Sequence, residues 1–233
     1  VGLTSITNIP GIMRANKWFN GAKLMDEWFA GPSATMPAYT TPDTTTIKMD
    51  SWVLTFPRAK TVFDSMVRDK VWTSAAAKPV FASRLRALGM GPGTNKCVDI
   101  SGKSAVDQHP LHVNLKAVPG VTDFDDMEAA LGNFSIYVVP LVFDVAPEVG
   151  KLRVTLYTVG FHVWDSYDFE GHQILGWWDE SSNTASAGPM MSGNEVDNGD
   201  FRNWRTANSK GGDFLVYSDV KQLNISPPDS FVV

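Results

Sequence analysis

Two carboxylates and a phenol stand together at Asp165-Ser166-Tyr167-Asp168, where a run rich in Val, Tyr, Phe and Thr comes to its end. A strand sends alternate side chains to opposite faces. Thr155, Tyr157, Val159, Phe161, Val163 and Asp165 therefore share one face, and His162 with Trp164 takes the other. Continued extension keeps Tyr167 beside Asp165 and turns Asp168 away, whereas a kink near Ser166 brings both carboxylates together. Such a group suits a hard cation, general-base work on water, or both. A carboxylate ending so apolar a strand is costly unless water, a cation or N–H donors satisfy it. The same residues also make an ordinary turn, with Asp165 and Asp168 as caps and Tyr167 packed beneath.

His172 follows Glu170-Gly171 and stands within reach of such a site as acid, base or ligand. Farther on, Asn198-Gly199-Asp200-Phe201-Arg202-Asn203-Trp204-Arg205 reads as a short capped helix anchored by Phe201 and Trp204. Arg202 and Arg205 are then neighbours on another side. They can clamp a phosphate or diphosphate, or pair with Asp197, Asp200 or Asp213. His162, among apolar neighbours, reads as a wall residue. His109 and His112 have a spacing that suits zinc, but two further ligands are not evident nearby. Gly89-Met90-Gly91-Pro92-Gly93 lacks the Gly-Lys-Ser/Thr ending of a phosphate loop. Neither a Gly-X-Ser-X-Gly nucleophile elbow nor a metalloprotease helix motif occurs.

The elements that must position these residues can be read from patterning. Ile9-Pro10-Gly11 opens a predicted helix to Phe29, with Trp18, Ala22, Met25 and Phe29 at helical spacing and Gly31-Pro32 as its stop. Residues 37–46, rich in Thr and Pro, predict an extended connection, and residues 47–56 a strand. A second helix follows Pro57. A third, capped by Thr73 or Ser74, ends at Leu88 before Gly89. Residues 90–102 read as a loop. Residues 135–145 and 152–165 flank Ala146-Pro147-Glu148-Val149-Gly150 and predict an antiparallel pair. Residues 174–178 and 214–217 predict further strands, and the polar stretch 181–199 a lid or an excursion. The expected fold is one α+β domain over residues 1–233. Its mainly helical part, 1–134, packs on a curved antiparallel sheet or partial β-barrel in 135–233, the part that carries the candidate site.

Composition narrows the function classes. With 43% hydrophobic and 19% charged residues, the 233-residue chain can bury a sizeable core, which excludes wholesale disorder. A net charge of −5, from 20 basic and 25 acidic residues, argues against a broad nucleic-acid surface. Cys97 is the single cysteine, so no internal disulfide forms. No run approaches the ~20 apolar residues that span a bilayer. The sequence has no signal-peptide pattern, so export is expected to need a dedicated machine.

Over nearly its whole length the chain resembles a bacterial family known as domain of unknown function 6402. The likeness rests on Trp28-Phe29-Ala30, Thr45-Thr46-Ile47-Lys48-Met49-Asp50-Ser51-Trp52-Val53-Leu54, Val163-Trp164-Asp165-Ser166-Tyr167-Asp168-Phe169 and Gly211-Gly212-Asp213-Phe214. Members of that family tend to occur beside type VI secretion genes. This implies an antibacterial effector, made in the bacterial cytoplasm and acting in the periplasm of a target cell, or an accessory to delivery. Asp165-X-Tyr167-Asp168 is also similar to the Asp-X-Tyr-Asp signature of colicin M-type bacteriocins, metal-dependent phosphodiesterases that cut lipid II. That likeness implies a catalytic cluster of Asp165, Tyr167 and Asp168, with Asp165 and Asp168 holding a divalent cation, Mg2+. The implied substrate is a lipid-linked cell-wall precursor. The His-Arg pair of the bacteriocins is missing: His172 comes early and Gln173 follows it, which leaves Arg202 to supply the guanidinium. An immunity protein and a secretion-apparatus protein are the implied partners. The alternative is a non-enzymatic adaptor of the apparatus that binds through an aromatic surface. A third reading is a glycan-binding or glycan-cleaving domain, with exposed Trp177 and Trp178 stacking on sugars.

Overall fold

The computed structural model describes residues 5–37, 41–120 and 123–233. From the N-terminus come α1 (Ile9–Ala15), α2 (Phe19–Ala30), α3 (Pro57–Arg68), α4 (Ala77–Ala87), β1 (Lys96–Asp99), α5 (Ala105–Gln108), β2 (Asn114–Val118) and α6 (Asp126–Leu131). The long strands β3 (Phe134–Glu148) and β4 (Lys151–Tyr167) follow. Then come β5 (Ile174–Asp179), β6 (Thr184–Ser186), β7 (Asn194–Asp197), α7 (Asn198–Asn208), β8 (Phe214–Tyr217) and β9 (Lys221–Val232). The chain is α+β with antiparallel sheets, and these sheets stay open rather than closing into a barrel.

Two compact units make up the chain. The first is Val1–Thr46, Pro119–Phe134 and Asp165–Val216; the second is Ile47–Val118, Ser135–Trp164 and Tyr217–Val233. Each is assembled from three separate stretches, so no change of composition along the sequence marks a boundary.

The second unit is organised by the β3–β4 hairpin. Its register runs from Ser135 opposite Trp164 to Glu148 opposite Lys151, with irregularities between Pro140 and Phe143. Pro140 has no N–H to give the ladder, which accounts for the slip beside it. The turn is Val149-Gly150, and Gly150 takes φ +69°, a conformation open to glycine without strain. β1 pairs with β3, and β9 pairs with β4 on either side of a break that leaves Ser226-Pro227-Pro228 out of the ladder. Val138, Val139, Phe143, Val154, Leu156 and Phe161 are buried there. Phe63 and Trp72 meet Phe161 edge-on at 4.9 and 6.1 Å.

The structure departs from several sequence expectations. The long N-terminal helix is two helices, because Lys17 adopts φ +64° and Trp18 N bonds back to Met13 O at 2.8 Å. The predicted strand at 47–56 is a set of turns ending in the short 3-10 helix Val53–Thr55. There Trp52 N and Val53 N both bond Lys48 O. Ile47, Met49 and Val53 are buried all the same, so their alternation reports burial and not a strand. The loop at 90–102 contains β1. The polar stretch 181–199 supplies β6 and β7, which flank β5 in a three-stranded sheet, and its last residues begin α7. Within the predicted connection 37–46, residues 38–40 lie outside the described residues.

In the first unit α2 packs on α1 and α6, and Gly21 N donates to Asp126 Oδ1 at 2.9 Å. A capping box starts α7: Asp200 N donates to Asp197 Oδ1, and Asp197 N donates to Asp200 Oδ2. Phe201 lies fully buried on that helix.

Candidate functional site

A cavity of about 360 Å3 in the first unit is lined by Asp165, Ser166, Tyr167 and Asp168 together. Ile9 and Met13 of α1, Met25 of α2, Phe124, Trp178 of β5 and Phe201 of α7 give it apolar walls. Glu128 and Asn133 add polar groups, and the described lining residues include no Lys, Arg or His. The cavity therefore has a mixed lining, with apolar side chains beside the polar and acidic groups of the strand end, Glu128 and Asn133.

The two aspartates differ. Asp168 anchors a turn: its Oδ2 accepts from Ser166 Oγ at 2.6 Å and its Oδ1 from Glu170 N at 3.2 Å. Asp165 has much less support. Burial pushes its carboxyl up to about 7, the Ser166 backbone N–H partly opposes this, and the negative charge of Asp168 adds to it. Asp165 is thus poised to gain or lose a proton near neutrality, as a general acid or base requires. Burial also raises the Tyr167 phenol above its ordinary value. Its ring stacks on Phe214 at 5.2 Å and meets Phe169 edge-on at 5.7 Å.

Helix α7 holds the loop that follows. Arg202 Nη1 donates to the carbonyls of Phe169 and Gly171, both at 2.7 Å. Asn198 Nδ2 donates to Glu170 O at 2.6 Å, and Asn198 N to Gln173 O at 3.0 Å. Phe169 stacks on Phe201 at 3.8 Å with an interplanar angle of 7°. Behind this loop Arg205 is buried and paired with Asp213, whose Oδ1 also accepts from Trp28 Nε1 at 2.8 Å. The Arg205 guanidinium lies 5.2 Å from the Trp28 ring centre. Gly211 has φ +92°, and a Cβ there would stand 2.5 Å from the Trp28 ring, so both conformation and space demand glycine.

Asp165, Tyr167 and Asp168 thus share one cavity, but Arg202 and His172 are not among its lining residues. Arg202 is engaged with loop carbonyls, and His172 lies exposed on that loop. Arg205 is drawn into the buried ion pair and so cannot stand beside Arg202 as a phosphate clamp. Trp178, expected to be exposed, is 3% exposed and packs edge-on against Trp18 at 6.4 Å. It has no free face for a sugar. Sequence reasoning missed Glu128, Asn133, Met13, Met25 and Phe124. Of these Met25 carried a signal of burial through its helical spacing, and Glu128 a local one as the third residue after the helix cap Asp125, whose side chain accepts from Glu128 N.

Among the described residues no group of three or more His, Cys, Asp or Glu side chains is arranged to hold a metal ion. The zinc spacing of His109 and His112 is used otherwise: His109 Nδ1 lies 2.9 Å from His162 Nε2, and His112 Nδ1 lies 2.8 Å from the His109 carbonyl. Asp165 and Asp168 remain a two-carboxylate set. That set fits Mg2+, which commonly takes one or two protein carboxylates and completes its shell with water and substrate phosphate. No helix among the described residues is long and apolar enough to cross a membrane.

The model of the family of unknown function DUF6402 matches residues 4–194 and 190–233, and the chain belongs to that family. No curated protein and no solved structure matches it.

Proposed function

We propose that this chain is an antibacterial effector that hydrolyses a lipid-linked diphosphate of cell-wall synthesis, with Asp165 as the reacting carboxyl. The observation that carries this reading is the cavity itself. It brings the Asp165-Ser166-Tyr167-Asp168 strand end into a cavity whose other side carries apolar residues such as Ile9, Met13 and Met25, against which the first part of a prenyl chain would lie. A lining with acidic but no basic side chains suits a diphosphate only in company with a cation. Asp165 and Asp168 would hold that divalent cation or orient the attacking water; with Asp165 on the water, the cation beside Asp168 would supply neutralisation of charge on the phosphates.

The residues of the chain have separate tasks. Ionised Asp165 takes a proton from water as the water oxygen forms its bond to phosphorus. The phosphorus–oxygen bond to the lipid breaks, and the proton passes from Asp165 to the departing lipid oxygen. Ser166 Oγ fixes Asp168, and Tyr167, stacked on Phe214, holds the strand end in place. Arg202 acts through the 169–171 carbonyls as a positioning residue. The proposed setting, with delivery by a type VI apparatus into the periplasm and a cognate immunity protein, is what the family resemblance implies.

The test is expression of the chain in the periplasm and, separately, in the cytoplasm of a susceptible bacterium, alongside lipid II hydrolysis by the purified protein with Mg2+ or EDTA. The proposal expects lysis mainly from the periplasm and Mg2+-dependent cleavage. Absence of cleavage by the folded protein, together with retained binding to a secretion-apparatus protein, would favour the adaptor instead.

A further inference from the structure

The second unit contains a cluster of rings that this chemistry leaves unused. His109, in the turn His109–Leu111 after α5, places Nδ1 2.9 Å from Nε2 of His162 on β4. The His109 ring centre lies 4.8 Å from those of Tyr137 and Trp164 and 5.7 Å from that of Tyr217. His162 is 0% exposed, and its Nδ1 has no hydrogen-bond partner among the described residues. A proton on that Nδ1 would be a buried donor with no acceptor, so the hydrogen-bond network assigns the His162 proton to Nε2. His162 then donates to His109 Nδ1, and His109 carries its own proton on Nε2.

We infer that the His109–His162 hydrogen bond is an acid-sensitive latch: it ties residues 105–112 to β4 at neutral pH and releases them when the pair is protonated. The geometry leaves an added proton no good place. On His109 the free position is Nδ1, the atom that accepts the bond, so protonation sets two N–H groups against each other at 2.9 Å. On His162 it is the buried Nδ1 without an acceptor. The titratable and charged groups facing the pair are His112 in the same turn, Arg84 from α4, Tyr137 from β3 and Tyr217 at the end of β8. Arg84 Nε donates to the His112 carbonyl at 3.3 Å, and positive charge on Arg84 or His112 opposes protonation of the pair. Beyond the pair, the next backbone tie of this segment to β3 is Val113 N to Val138 O at 3.0 Å.

Burial, reinforced by these neighbours, lowers His109 to about 4 and His162 to about 3. Depressed histidines stabilise the folded unit above the unfolded value, near 6.5, and lose that contribution as pH falls toward the folded values. At pH 4.5 a return to the ordinary histidine value on opening bounds the shift of the opening equilibrium at about 100-fold for one histidine, and the pair together shifts it further in the same direction.

Hydrogen exchange of the intact chain, corrected for intrinsic rates, reads this directly in peptides covering residues 105–112. Between pH 7 and 4.5 the wild type should lose protection on the order of that factor, and His162→Phe should lose at least 10-fold less. A parallel loss in both proteins would overturn the latch. NMR titration of the wild-type imidazole Cε1–H signals needs no variant to fold. Flat shifts for His109 and His162 between pH 7.5 and 5 are expected, and a midpoint near 6.5 for both would refute the inference.

Discussion

Strand β4 supplies a polar residue to each unit, and the two are treated differently. In the second unit His162 sits within a long β3–β4 ladder, fully buried and bonded to another neutral ring. In the first unit Asp165 stands at a cavity with its carboxyl raised to about 7, and the following loop is fixed by side chains of α7 bonding to its carbonyls. A continuous ladder satisfies backbone groups by itself, so its polar side chain can be buried as a neutral pair. Where the ladder ends, side chains must take over that work. The strand end thereby gains both an open face and a group whose protonation is close to balance.

The largest effect that would break this contrast is expected at Asp213. Its carboxylate holds buried Arg205 and Trp28 Nε1. Asp213→Ala leaves buried Arg205 with only the longer Glu170 contact at 3.5 Å and Trp28 Nε1 without its acceptor, and a loss of about 3 kcal/mol is expected in urea unfolding of the first unit. The next effect, at Arg202, sharpens the distinction between a loop clamp and a phosphate clamp. Arg202→Ala removes two bonds from a charged donor to carbonyls, and a loss of about 1.5–3 kcal/mol should appear as faster hydrogen exchange in residues 168–173. A phosphate clamp would leave that exchange unchanged. The smallest effect belongs to the cap of α7: Asp197→Ala should cost about 1 kcal/mol in thermal unfolding, with the loop contacts intact.

What the sequence disclosed follows the range of the interactions involved. The β3–β4 pair was legible because two β-rich runs flank a turn, and α7 because Asn198–Arg205 carries Phe201 and Trp204 at helical spacing, while its capping box of Asp197 and Asp200 came only with the structure. Strand spacing placed Tyr167 beside Asp165; the strand runs on through Tyr167 without a kink at Ser166, and Asp168 reaches the same cavity from the turn that follows, where it accepts from Ser166 Oγ. The far wall of the cavity was not legible. Met13, Glu128 and Trp178 come from distant stretches whose meeting depends on tertiary packing. Asp213 was among the partners the sequence offered Arg205, but the burial of that pair was not legible, because it depends on Trp28 from a distant helix. Strands β6 and β7 escaped notice because Thr184-Ala185-Ser186 and Asn194-Glu195-Val196-Asp197 are mostly polar and pair only through β5.

The central claim is that Asp165 is a reacting group held at a cost in stability, and Asp165→Asn tests it most directly. A carboxyl near 7 when folded and near 4 when unfolded binds more protons in the folded state between those values, so stability falls as pH rises through that window. Asparagine lacks this penalty. Melting in EDTA and lipid II hydrolysis with Mg2+ should be measured on one preparation across pH 4 to 8. The variant should match the wild type at pH 4 and exceed it by up to about 4 kcal/mol at pH 8, while hydrolysis falls on the order of 100-fold or more. A variant that melts lower than the wild type at every pH and cleaves lipid II at the full rate would contradict the account and leave Asp165 as a turn cap.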